Sequence, residues 1–323
     1  MPCKYQIVGI GTPCIDMLTI LNALPTPNQG ARVLEVSRQG GGPVATALVT
    51  ASRLGASASF IGVSGTCIHG QAIRSDFIYN QVDISHGPIH KGATSDFAYI
   101  LSDMETGGRS ILYRRGTVRP IMEDDLDRDF ITGAAFLHLD RYDAPRALAA
   151  RWMRESGKKV VFDANGYSRE THAFLPSIDV FIASEFYYND CFPYGGDHEA
   201  NCRTIAALGP EVVVFTLGAA GCIGFSKAEG YFQVKGYDVP VYDTLGAGDV
   251  YHGAFLYGLV QGMSIRDTAR FSNAVAAIKI GTIGGRAGIP SYETTLRFME
   301  TGVINTEEIQ ARVQYYQDKW LFG

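Results

Sequence analysis

The chain has 323 residues, 46% of them hydrophobic and 19% charged, with a formal net charge of −5. Those figures allow a large α/β domain with a substantial core, and the acidic balance argues against a general nucleic-acid binder, which needs a basic face against phosphate. No apolar run reaches the roughly 20 residues of a membrane span, and the opening MPCKYQIVGIG lacks the long apolar stretch of a secretory signal.

In chain order, Tyr5 to Gly11 is a short apolar run closed by glycines, which predicts a buried strand. GGGPVATALVTASRLGA predicts a helix, with Pro43 at its start and Gly55 at its end. Val44, Ala47, Leu48, Ala51 and Leu54 recur at helical spacing between them. SASFIGVSG is a strand, PRALAARWMRESG a helix and KKVVFDAN a strand. DVFIAS and EVVVFTLG are strands flanking the helix HEANCRTIAALG, and two helices follow from Ala247. Strands alternating with helices predict a doubly wound, mainly parallel sheet with helices on both faces. Two β-rich regions, about residues 12–39 and 92–116, interrupt this rhythm. The second contains the turn METGGR between two β-rich runs, a hairpin signal. These regions are expected to form a small sheet acting as a lid over the carboxyl ends of the main strands, where open α/β sheets bind ligands.

Several chemistries fail on spacing. GIGTPC lacks the third glycine of a dinucleotide fingerprint, and neither a P-loop nor a nucleophile elbow occurs. The cysteines Cys3, Cys14, Cys67, Cys191, Cys202 and Cys222 form no CxxC pair and no Cys/His cluster of zinc spacing. They predict reduced thiols in a cytoplasmic protein.

The stretch YDTLGAGDVYHGAF is more informative. Its small turn leads into an apolar run, so Ala247, Gly248 and Asp249 should lie at a helix N-terminus, where free amides and the positive dipole end attract anions. Asp249 beside a bound phosphate could take the proton of an attacking hydroxyl. Asp243, ahead of the turn, could hold a cation bridging nucleotide phosphates. An aspartate here can equally be a plain helix cap.

DTLGAGDVYHGAF and GGGPVATALVTASRLGA together resemble the two signature motifs of the ribokinase-like (PfkB) carbohydrate kinases, and the resemblance runs over essentially the whole chain. It implies a single domain, residues 1–323, that transfers the γ-phosphoryl group of ATP to a sugar hydroxyl with magnesium. Nucleic acid and membrane are not implied as partners. A potassium requirement and a homodimer formed through the lid are left open.

The same resemblance makes Asp249 the base, and Gly246, Ala247 and Gly248 the anion hole. Asp16, Gly41, Gly42 and Thr46 would lie against the sugar, with Thr46 where many members carry Asn. Thr216, Gly218, Gly221 and Asn273 would line the ATP site. The usual N-x-x-E is absent, and Glu185, in IASEFYYND, is the residue that would take over the metal role. Arg141 ends a strand-like run toward the ligand end and would suit an anionic group on the substrate. GGGPVATA and GGRAGIP resemble a subgroup that includes 6-deoxy-6-sulfofructose kinase. A nucleoside or vitamin kinase of the same fold, and a catalytically silent sugar- or nucleotide-binding regulator, are the alternatives.

Overall fold

The computed structural model describes residues 5–106 and 108–322. Cys3 and Gly107, the latter within the METGGR turn, lie outside the described residues.

The strands in chain order are β1 (Ile7–Ile10), β2 (Cys14–Leu21), β3 (Val33–Gly41), β4 (Ala58–Ile61), the two-residue pair β5 (Ser64–Gly65) and β6 (Ile89–His90), β7 (Asp96–Asp103), β8 (Arg109–Arg114), β9 (Phe136–Leu139), β10 (Lys159–Ala164), β11 (Val180–Ser184), β12 (Val212–Thr216), β13 (Cys222–Ser226) and β14 (Gly230–Val234). Eight of them form one sheet in the order β14-β13-β12-β11-β10-β9-β1-β4. From β12 to β4 the neighbours run parallel, and β13 and β14 close that edge as an antiparallel hairpin.

Successive residues of the parallel strands bury on opposite faces, as the pleat requires. Ile7 and Val161 enter one core with the helices Pro43–Leu54 and Ala247–Val260. Val8, Val160 and Phe162 enter the other, with the helix Ala144–Glu155. This two-faced burial explains why the strands read as continuous apolar runs. Gly9 and Gly11 serve close packing: a Cβ on Gly9 would lie 2.6 Å from Val44 Cγ1, and one on Gly11 2.8 Å from Val44 Cβ. The incomplete dinucleotide fingerprint therefore reflects a helix lying tightly on β1.

The four-stranded sheet β3-β2-β7-β8 draws its strands from the two β-rich regions read from the sequence, with β3 running two residues past the first. Gln39 on β3 fixes its root. The Gln39 carboxamide accepts the amides of Arg286 (2.7 Å) and Ala287 (3.1 Å) and donates to the Ile283 carbonyl (3.0 Å). Among the described residues no helix is long and apolar enough to cross a membrane.

Candidate active site

The helix Ala247–Val260 begins where its sequence predicted. Gly246 is its N-cap, in the left-handed region at φ 70°. A Cβ there would lie 2.9 Å from the Gly285 Cα, so both conformation and space require glycine. Gly248 differs: a Cβ on it would meet nothing within 4 Å, so this position opens outward. The Ala247 amide donates to the Thr244 carbonyl at 3.2 Å and closes the turn. The amides of Gly248 and Asp249 find no backbone partner among the described residues. Of the expected anion-hole donors, the Ala247 amide is thus already engaged within the turn, while the amides of Gly246 and Gly248 have no backbone partner among the described residues.

These amides face a cavity of about 580 Å³ lined by Thr216, Gly218, Gly221, Thr244, Ala247, Gly248 and Asn273, among others. The residues expected at the nucleotide are therefore brought together from β12, the turn after it and two helices. Asn273 does so with its side chain turned into the fold: it is buried, and its Nδ2 donates to the carbonyls of Val234 (3.4 Å) and Lys235 (3.1 Å). It fastens the chain after β14 and lines the cavity wall. Glu185 opens the helix Glu185–Cys191 directly after Ser184, which pairs in register with Thr216. Its half-buried carboxylate has no hydrogen bond or ion pair to any described residue, so it is free to serve a cation beside the cavity.

On the other side of Asp249 lies the expected sugar floor. Cys14 of β2 pairs with Gly41 of β3, and Asp16 with Gln39. A Cβ on Gly41 would sit 2.3 Å from the Asp16 carboxylate, and one on Gly42, at φ 98°, 2.3 Å from the Thr12 carbonyl. The two glycines are required by this close approach. Burial raises the Asp16 pKa to about 6, against the lowering effect of the Cys14 thiol and the Arg286 charge. Asp249 is raised to about 7, first by burial and then by Asp163, with His252 and Arg286 pulling it down. A carboxylate held near neutral pH has a proton affinity suited to general base work.

Two expected site residues are already engaged in the fold. Asp243 is buried, and each of its carboxylate oxygens accepts one backbone amide, one that of Leu245 (2.9 Å) and the other that of Gly284 (2.8 Å). It ties the turn to the Gly284 loop. Thr46 is also buried, with its hydroxyl accepting from Arg286 Nε at 3.2 Å.

Arg286 was not singled out from the sequence. It is fully buried, pairs with Asp76, and donates to the Gly41 carbonyl at 3.2 Å. An arginine inside the glycine-rich GGRAGIP was the available signal. Behind Asp249 lies a second unforeseen group: His252 Nε2 is 3.2 Å from Asp163 Oδ1, and the His138 ring is 5.5 Å from that of His252, all three residues being buried. Arg141 is largely exposed and 3.5 Å from the Asp140 carboxylate. It borders a cavity of about 170 Å³ with Gly11, Thr12, Pro13, Asp96, Tyr113, Arg115 and Arg119.

The chain from residue 6 to 291 matches the family described as pfkB family carbohydrate kinase. It belongs to that family. Among curated relatives, a 5-dehydro-2-deoxygluconokinase of Bacillus licheniformis is 28% identical over 311 residues, covering 89% of this chain and 94% of the relative. A ribokinase of Haemophilus influenzae is 26% identical, covering 80% and 87%. The Arabidopsis thaliana ribokinase solved with ribose and ATP superposes with a TM-score of 0.79 at 22% identity, over 92% of this chain and 99% of that one. A putative ribokinase from Agrobacterium tumefaciens gives 0.82 at 24%, over 92% and 98%. The likeness to these structures establishes the ribokinase-like fold. As a PfkB carbohydrate kinase the protein is a sugar kinase, and the cavity beside the Gly246 turn lies at the carboxyl end of β12, where this fold class binds ligands.

Proposed function

We propose that this PfkB kinase transfers the γ-phosphoryl group of ATP to a hydroxyl of an anionic keto sugar or sugar acid. One observation carries the phosphoryl-transfer reading. The free amides of Gly248 and Asp249 open a helix N-terminus into the cavity of about 580 Å³, and the Asp249 carboxylate, raised to about 7, stands on the same turn. The amides would steady charge on the transferred group, while Asp249 would accept the proton of the attacking hydroxyl. Asp16, projecting against Gly41, would hold the acceptor so that this hydroxyl meets Asp249. Glu185 fits a magnesium ion, directly or through water; magnesium on the phosphates neutralises their charge.

The anionic acceptor is supported by Arg115 and Arg141 at the smaller cavity. It is also supported by relatives whose name, 5-dehydro-2-deoxygluconokinase, denotes a keto sugar acid as acceptor. A second copy of the chain is the fitting partner for the small sheet, which leaves Val33, Leu34, Tyr99, Ile111 and Leu112 exposed.

The test is a coupled ADP-release screen with magnesium and ATP over keto sugar acids, neutral sugars, sugar phosphates, sulfosugars and nucleosides. Turnover highest with an anionic keto sugar supports the proposal. A nucleoside as sole acceptor overturns it, as does tight ATP binding without turnover on any acceptor.

A further inference from the structure

Lys279, the last residue of the helix Ile265–Lys279, has no accessible surface. Burying an ammonium costs several kcal/mol unless it is paired and hydrogen-bonded. No carboxylate oxygen lies within ion-pair distance of it among the described residues. Its Nζ instead donates to two main-chain carbonyls, those of Asp243 (3.0 Å) and Leu245. Both belong to the segment that becomes the Gly246 turn.

This segment is held at three points. Asp243 ties it to Gly284 through its carboxylate, Gly246 abuts Gly285, and the ammonium draws together two carbonyls on the inner side. Carbonyl oxygens converging on one buried point are the surroundings of a desolvated monovalent cation. Here the point is filled by a charge covalently part of the chain.

The groups facing Lys279 are Asp243 and Asp249, which favour its charged form, and Arg109 of β8, which opposes it and donates to Thr244 Oγ1 at 2.9 Å. Burial pulls its pKa to about 8, which leaves the ammonium charged at neutral pH.

We infer that Lys279 is a built-in monovalent cation, a positioning residue that shapes the Gly246–Asp249 turn for the nucleotide phosphates and makes the enzyme indifferent to free monovalent ions. This rests on the reading of that turn as the phosphate site.

The test measures binding of the non-hydrolysable analogue AMP-PNP with magnesium by calorimetry, at constant ionic strength in potassium, sodium, methylammonium or tetramethylammonium chloride. Wild-type affinity should be the same in all four within about twofold. Lys279→Ala, which leaves room for an ion, should bind about tenfold more weakly in tetramethylammonium, the equivalent of about one lost charge-assisted hydrogen bond. Potassium or methylammonium should restore most of that loss. Lys279→Met, which fills the space without charge, should stay weak in every salt.

Wild-type binding that depends on potassium, or Lys279→Met binding like wild type, would overturn the inference, as would a folded Lys279→Ala that no cation restores. If Lys279→Ala fails to fold, the wild-type salt series and Lys279→Met still decide. Wild-type protein that binds no nucleotide in any salt would sink the reading of the turn as the phosphate site instead. The lysine would then be judged on melting temperatures, with potassium expected to raise that of Lys279→Ala but not that of wild type.

Discussion

Replacing Arg286 by Met should weaken the fold and the sugar floor together. The guanidinium is fully buried, pairs with Asp76, and donates to Thr46 Oγ1 and the Gly41 carbonyl, both at 3.2 Å. Removing one partner of a buried pair strands the other charge, which costs about 3–5 kcal/mol. The orphaned Gly41 carbonyl and Thr46 hydroxyl push the loss toward the upper half of that range. With an unfolding entropy of ~2.1 cal/mol/K per residue, the 323 residues give ~0.7 kcal/mol/K. A loss of ~4 kcal/mol then lowers Tm by about 6 °C, read by differential scanning calorimetry. Asp76→Asn alone should also destabilise, because it leaves the arginine unpaired. The double variant should lose less than the sum of the singles by about 2 kcal/mol or more, since neither charge is then stranded. A single-variant loss under about 1 kcal/mol, or strict additivity, would refute the account of Arg286 as half of a buried pair.

Asp249→Asn should bind ATP nearly as wild type while turnover falls by about 10²-fold or more; near-normal turnover would remove the base assignment. Because burial and Asp163 raise the Asp249 pKa to about 7, with Asp16 adding and His252 and Arg286 opposing, the carboxylate is protonated below that pH and active above it. kcat/KM should therefore rise about tenfold from pH 6 to pH 8, and a flat profile would count against this titration. Arg141→Ala should raise KM for an anionic acceptor far more than for a neutral one, and equal effects on both would reject the anion pocket.

The sequence made the reaction class legible because its evidence is local. A helix N-terminus needs only the order of residues around Gly246, and the Pro43 helix announces itself by spacing and by Gly55. The parallel sheet followed from the β–helix rhythm. The small sheet was visible as two stretches lacking helices, though its strand order β3-β2-β7-β8 joins segments far apart in the chain. What the sequence did not show was the remote partners of Asp243 and Thr46. The Gly284 amide reaches Asp243 from 41 positions away. Arg286 approaches Thr46 only in the fold.

Lys279 shows the division most plainly. In SNAVAAIKIG it reads as an ordinary basic residue at a helix end, and a lysine between Ile278 and Ile280 hints only at burial. By itself the sequence determined the family, the helix start at Gly246 and the acid beside it, since backbone geometry is encoded within a few residues. Only the tertiary structure decided which charges are spent holding the turn and which are left for chemistry. Hydrogen-bond saturation depends on where distant segments bring their amides and carbonyls. Asp243 and Lys279 hold the turn through hydrogen bonds, and Asp249 stands on it with its pKa raised to about 7.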